Sequence, residues 1–201
     1  ISTDSSGTKI WNNAFEAVNN KPIGDVLQSA LVAGNNLFLS VNNSGKVLSI
    51  DPVSLKQTKS NNTLKSPRNL LMVGGQLWVS DLYANKISVL DTSNLKTVKE
   101  IVVPGWTENM VLWGDYVAVA AYKGEVLLVN PTTQVIERTL KVDSGALHLA
   151  VDAALQLWVG CSLNGKSSLS AFALGQIDIV EVAHWKMTGD LGSIQLSRNG
   201  G

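Results

Sequence analysis

Gln28, Arg68, Glu108 and His148 follow one another at intervals of 40 residues. An amide, a guanidinium, a carboxylate and an imidazole can hydrogen-bond, pair and titrate. Arg68 and Glu108 carry opposite charges and can pair with each other, while His148 can hydrogen-bond a ligand or a water. Trp106 stands two residues before Glu108 and follows Pro104-Gly105. Short polar segments add Asn43, Tyr83 and Tyr122. Aromatic rings with polar edges suit a planar or sugar-like ligand, or a protein partner. Together these residues form the candidate ligand-binding set. A blander explanation stands beside it: a solvated rim carries polar residues without any function, and tryptophans most often pack a core.

The interval belongs to a repeat, and the repeat must position the side chains. Gly34-Asn-Asn-Leu-Phe-Leu-Ser40, Gly74-Gly-Gln-Leu-Trp-Val-Ser80, Gly114-Asp-Tyr-Val-Ala-Val-Ala120 and Ala154-Leu-Gln-Leu-Trp-Val-Gly160 share one pattern, with Leu37, Leu77, Val117 and Leu157 again 40 apart. Each unit predicts a first short strand: Ser29–Val32, Asn69–Val73, Asn109–Trp113 and Leu149–Asp152. A small-residue turn, a second strand and a polar loop follow. A third strand ends at Asp51, Asp91 or Asn130, and a turn such as Asp51-Pro-Val-Ser-Leu55 leads to a fourth. Four short antiparallel strands per repeat of about forty residues make an all-β chain, a β-propeller of four-stranded blades. Helical repeats of similar length are excluded, because no stretch sustains a 3.6-residue period. Phe38, Trp78 and Trp158 share one position and are expected to fill the wedge between blades; Ala118 departs from it, so Trp113 or Tyr116 should fill that gap.

The map divides a single propeller domain, 1–201, into a partial blade 1–23, four blades at 24–64, 65–104, 105–143 and 144–187, and the start of another at 188–201. Asp4-Ser-Ser-Gly-Thr8 reads as a turn before an outer strand within Lys9 to Val18, and Leu191 to Ser197 as a first strand. The chain is thus expected to be part of a longer protein with more blades, with a five-bladed ring closed by an incomplete blade as the alternative. In that geometry Gln28, Arg68, Glu108 and His148 sit immediately before the innermost strands, around the channel mouth, with Ser193 as the next member. Asn43, Tyr83 and Tyr122 form a second arc from the loops after the second strands.

Composition narrows the partners. The 201 residues hold 16 Lys plus Arg against 16 Asp plus Glu, which argues against nucleic acid. No apolar run approaches the ~20 residues of a membrane-spanning helix. The single cysteine, Cys161, excludes an intramolecular disulfide and reads as a small strand-end residue. Catalysis has little support. His148 and His184 are the only histidines, and HExxH, GxSxG, phosphate-loop and Cys/His-cluster patterns are absent. Glu108, Asn109 and His148 can imitate the metal-holding mouth of a propeller lyase or lactonase, a minor alternative. The reading is therefore not an enzyme, with no cofactor and no metal.

Gly74-Gly-Gln-Leu-Trp-Val-Ser-Asp81 followed by Asn85-Lys-Ile-Ser-Val-Leu-Asp-Thr92 resembles the YVTN-type repeat of YncE-like propellers. Pro22-Ile-Gly-Asp25 and the stretch from Asn35 to Asp51 resemble the propeller surface lipoproteins of Bacteroidetes, of the BtuG-like kind. That resemblance implies about seven blades and an exported, lipid-anchored protein at the outer membrane. It also implies capture of a cobalamin-like ligand or a glycan for an outer-membrane transporter. A scaffold within an envelope complex is the alternative.

Overall fold

A computed structural model of the chain describes residues 2–4, 7–9, 12–176 and 178–195. A hairpin of β1 (Ser2–Asp4) and β2 (Gly7–Lys9) comes first, then a short helix, α1 (Ala14–Asn19). Four four-stranded antiparallel sheets follow. The first holds β3 (Leu27–Ala33), β4 (Asn36–Val41), β5 (Lys46–Ile50) and β6 (Gln57–Asn61). The second holds β7 (Pro67–Val73), β8 (Gln76–Asp81), β9 (Lys86–Asp91) and β10 (Thr97–Val102). The third holds β11 (Thr107–Trp113), β12 (Tyr116–Ala121), β13 (Glu125–Val129) and β14 (Ile136–Lys141). The fourth holds β15 (Ala146–Val151), β16 (Leu157–Leu163), β17 (Lys166–Leu174) and β18 (Ile179–Thr188). Strands pair in chain order within each sheet, and the first strands β3, β7, β11 and β15 neighbour one another in succession. This is the propeller-like arrangement that the repeat predicts.

Local chemistry explains the recurrence. Third and fourth strands are joined by one turn used three times. The Asp51 Oδ1 accepts from the Val53 and Ser54 N–H groups at 3.0 and 2.7 Å, and the Asn130 Oδ1 from Thr132 and Thr133 at 2.9 and 3.0 Å. Asp91 accepts from Ser93 N–H at 2.7 Å. Leu55, Leu95 and Gln134 then take φ near 59°, 58° and 58°, and their N–H groups bond back to the carbonyls of Asp51, Asp91 and Asn130. Short Asx side chains mimic a backbone turn, which is why Asp or Asn ends each of these third strands. The same donors hold the Asp51 and Asp91 carboxyls below the ordinary carboxylate range, Ser54 N–H foremost for the first and the Ser93 hydroxyl for the second.

The core lies between sheets. Phe38 packs with Leu70, Leu77, Val79 and Leu90 of the second sheet. Trp78 packs with Met110, Val117 and Val119 of the third. Beside Ala118 the wedge is filled by buried Trp113, with Tyr116 packed against the cluster, which also holds Leu149, Leu157 and Phe172. Trp158 instead stacks on Trp185 of its own sheet, ring centroids 5.8 Å apart and planes 4° from parallel, and Trp185 is half exposed.

Hydroxyls tie adjacent sheets. Ser40 Oγ donates to the Arg68 carbonyl at 2.8 Å, and Ser80 Oγ to the Glu108 carbonyl at 2.6 Å. The equivalent positions Ala120 and Gly160 have no hydroxyl. At Gly160 a Cβ would lie 2.5 Å from Leu191 and 2.8 Å from Ile194, so glycine lets the segment after β18 approach.

Three expectations need correction. The first strands begin two to three residues earlier than the sequence suggests, so Gln28, Arg68, Glu108 and His148 lie inside them. Within Lys9 to Val18 the expected outer strand is replaced by the end of β2 and the start of α1. Helix-favouring Ala14, Glu16 and Ala17 allow the turn of helix, and Phe15 with Ile23 caps Leu39, Val41, Leu48 and Ile50 of the first sheet. Asn19 secures it, donating to the Leu55 carbonyl at 2.9 Å and accepting from Gln57 N–H at 2.7 Å. Finally, Leu191–Gln195 is not a strand; the rest of the expected strand, through Ser197, lies outside the described residues.

Ser80→Ala removes the hydroxyl that donates to the Glu108 carbonyl and accepts from Asn69 N–H. One buried and one part-buried backbone group then lose a partner, and urea unfolding should show a loss of about 1–3 kcal/mol. Wild-type stability in that variant would mean that the hydroxyl does not tie the second sheet to the third.

Candidate ligand site at the mouth of the first strands

Every first strand is held at its start by one backbone bond. The N–H groups of Asn42, Leu82, Tyr122 and Ser162 donate to the carbonyls of Val26, Ser66, Trp106 and Gly145, at 2.8, 3.0, 3.0 and 2.8 Å. Just beyond that point each strand bulges. Register shifts fall between Leu27 and Ser29, Pro67 and Leu70, Thr107 and Met110, and Ala146 and His148. A bulge inserts a residue without a cross-strand partner and turns its side chain out of the pleat. Gln28, Arg68 and Glu108 lie inside their bulges, and His148 directly after its own. At the second sheet the buried Asp81 reinforces the hold, accepting from Lys65, Ser66, Tyr83 and Ala84 N–H groups at 3.1, 2.9, 2.9 and 3.0 Å.

The re-aimed side chains meet. Arg68 Nε donates to Glu108 Oε2 at 2.8 Å, and Arg68 Nη1 to Gln28 Oε1 at 2.8 Å. Trp106 Nε1 donates to the other Glu108 oxygen at 2.6 Å. Trp106 also stacks on Tyr122, centroids 4.1 Å apart and planes 18° from parallel. One chain of contacts thus runs across three sheets, from Gln28 through Arg68, Glu108 and Trp106 to Tyr122. The Arg68 side chain is 24% exposed and that of Glu108 only 9%, so the pair is screened less than a surface ion pair.

Beside this chain lies a cleft of about 180 Å³, lined by Gln28, Ser29, Arg68, Asn69, Glu108, Asn109, Leu147 and His148. Burial of the imidazole pushes His148 below its usual value, while the Leu191 backbone and the Glu108 charge pull it up less strongly. His148 is therefore neutral at pH 7. Asn109 Oδ1 is buried with no hydrogen-bond partner among the described residues.

The structure brings Gln28, Arg68, Glu108 and His148 together, with Trp106 and Tyr122 alongside. Trp106 keeps its indole N–H for Glu108 and one face for Tyr122. Tyr83 and Asn43 do not line the cleft: Tyr83 is 63% exposed, and exposed Asn43 donates to Asp25 at 3.1 Å. Ser193 is exposed on the segment after β18. Asn109 is the residue that sequence reasoning weighed only as a metal mimic. Its neighbour-register with Asn69 was the available signal: the Asn69 Oδ1 accepts Met110 N–H at 3.2 Å, whereas the Asn109 Oδ1 accepts nothing.

A second cavity of about 930 Å³ opens at the fourth sheet between Asp143-Ser144, Cys161, Leu163, Lys166 and the end of β18. The longer Ser162–Ser168 segment was its only sequence signal. Burial pushes the Cys161 thiol up to about 11, so it stays protonated and unreactive. Size favours this cavity, but convergent, mutually fixed polar groups favour the smaller one, and those define a specific site. Among the described residues there is no group of three His, Cys, Asp or Glu able to hold a metal, and both Glu108 oxygens already accept a proton donor.

Fold and site define an all-β, propeller-like protein with a polar cleft at the mouth of its first strands. Residues 4–185 match the family described as a domain of unknown function, DUF5074, and the chain belongs to that family. No curated protein matches in sequence. Similar solved structures include the hydrazine synthase of Kuenenia stuttgartiensis, at 17% identity and TM-score 0.69, over 77% of this chain and 47% of that one. The dihydro-heme d1 dehydrogenase NirN, solved in complex with DHE, is 19% identical with TM-score 0.66, over 84% of this chain and 39% of its own. A functionally unknown protein from Desulfotomaculum acetoxidans is 10% identical with TM-score 0.69, over 90% and 62%. At these identities the likeness shows the fold alone. The chain spans between 39% and 62% of the length of these proteins. Among the described residues no helix is long and apolar enough to cross a membrane.

The His148 shift has a stability consequence. The folded imidazole titrates below its unfolded value of 6.5, so the unfolded chain binds the proton more readily. Stability is full above pH 6.5 and should fall as the pH drops from there toward 5. His148→Gln should flatten that limb of the urea-midpoint profile, leaving the losses below pH 4 that arise from Asp51 and Asp91. An unchanged slope between pH 7 and 5 in the variant would refute the assignment.

Proposed function

We propose that this chain is a non-enzymatic binding propeller that captures a small ligand at the mouth of its first strands. The observation that carries the reading is the set of four bulges, which aim side chains from four sheets at one cleft and wire three of them together beforehand. Preorganised polar groups lower the ordering cost of binding. The cleft is below the ~300 Å³ of an ordinary small-molecule pocket, so it takes a protruding group of a larger ligand, whose body rests on the rim near Trp106 and Tyr122.

With the YncE-like and BtuG-like resemblance, the proposed ligand is cobalamin-like or a glycan, delivered to an outer-membrane transporter by an exported, lipid-anchored protein. The proposed ring has seven blades. The half-exposed Trp185, stacked on Trp158 where Phe38 and Trp78 contact a following sheet, supports a further blade on that face. Small-angle scattering of the full reading frame should then give a closed disc; an open arc would reject the ring.

Calorimetry against a panel of cobalamins and glycans should find a ligand in the panel, with affinity lowered at least tenfold by Arg68→Ala. Silence across the panel, or binding indifferent to Arg68, would remove the ligand reading. Recovery of the protein from native membranes with a stable protein partner and no small molecule would favour a scaffold instead.

A further inference from the structure

The chemical class of the ligand group follows from which hydrogen-bonding capacity in the cleft is already spent. Among the described residues, Arg68 is the only cation lining it and Glu108 the only anion, and they pair with each other at 2.8 Å. His148 is neutral at pH 7 because burial lowers its proton affinity. The lining therefore has no net charge to offer a charged ligand. An anion would meet an Arg68 already neutralised, and would leave water beside the Glu108 carboxylate. A cation would meet a Glu108 whose charge Arg68 already cancels, with one lone pair on each oxygen taken by Arg68 and Trp106. In each case desolvation of the ligand charge is left uncompensated.

The unspent capacity is neutral and of both kinds. Arg68 uses Nε and Nη1 toward Glu108 and Gln28, and a guanidinium has five N–H groups, so donors remain at its outer edge. Gln28 turns its oxygen to Arg68, which leaves its amide N–H groups as further donors. Opposite in kind is the Asn109 Oδ1, a buried acceptor without a donor among the described residues. Leaving such an atom unpaired carries an uncompensated desolvation cost, which a ligand donor would recover. The volume, about 180 Å³, corresponds to roughly six waters at ~30 Å³ each. That is room for a group of a few heavy atoms.

We propose that the cleft recognises a neutral group carrying an N–H donor and a carbonyl acceptor side by side, a primary carboxamide. Asn109 lines the cleft, and a turn of its side chain brings the buried Oδ1 to the ligand N–H groups, while the ligand carbonyl meets the free edge of Arg68. The Arg68–Glu108 pair then acts as a charge filter: the guanidinium is held in place as a donor while its charge is cancelled, so carboxylates are rejected. The proposal rests on the binding reading above and names the chemistry of that site.

An isosteric pair of probes separates the classes. Saturation-transfer NMR on the full chain at pH 7.5 should detect propionamide and give a signal for propionate at least five times weaker. Asn109→Leu should abolish the propionamide signal, while Asn109→Asp, which keeps the acceptor, should retain it; circular dichroism confirms that each variant is folded. Glu108→Gln leaves the Arg68 charge uncancelled and should raise the propionate signal above that of propionamide. Propionate equal to propionamide in the wild type would overturn the proposal. So would a propionamide signal that survives Asn109→Leu, or no signal from either probe. If a ligand of the calorimetric panel binds through Arg68 while propionamide does not, the carboxamide class is wrong and the binding role stands. If neither binds, both fall.

Discussion

The N–H groups of Asn42, Leu82, Tyr122 and Ser162 each reach back to a carbonyl at the start of a first strand, and this repeated bond constrains everything at the mouth. It fixes where the strand begins but leaves too many residues for a flat ladder, so the strand bulges just beyond it. The bulge turns a side chain out of the pleat. Where the next sheet is tied on by a serine hydroxyl, at Ser40 and Ser80, the bulged residue's own carbonyl is the acceptor. Backbone geometry thus places Arg68 and Glu108 within reach of each other before their charges act. The ion pair is a consequence of the frame and a lock upon it.

Two kinds of constraint meet at that lock. The interior requires wedge-filling apolar groups, met by Phe38, Trp78 and Trp113. The mouth requires that polar groups turned inward be satisfied. Gln28, Arg68, Glu108 and Trp106 satisfy one another, whereas Asn109 Oδ1 does not find a partner among the described residues. In a network so nearly complete, the one unpaired buried acceptor is the informative atom, because native proteins rarely leave such groups alone.

The four-sheet plan was legible because the forty-residue register repeats in strand, turn and wedge positions at once. Agreement across those levels leaves little else for the chain to form. The Asx turns at Asp51, Asp91 and Asn130 are local chemistry and could be read directly. The candidate arc at Gln28, Arg68, Glu108 and His148 was legible for the same reason, since equal register means equal height on successive sheets. Tyr83 and Asn43 were misgrouped with it. They come from the same loops as Tyr122 but stand one register position later, level with Lys123; Tyr122 faces Trp106, and the units of Tyr83 and Asn43 carry Ser66 and Val26 at the position of Trp106.

From sequence alone came the all-β repeat, the positions of its turns, the aromatic wedges and the line of polar residues, because each depends on spacing along the chain. Tertiary structure decided the rest. Bulges placed those residues within the strands instead of before them, since register is set by pairing with a neighbour. Helix α1 covers the first sheet because Phe15 and Ile23 find apolar partners there. The indole of Trp106, the burial of His148 and the unpaired Asn109 oxygen depend on which side chains converge from different sheets, and no interval in the sequence specifies that.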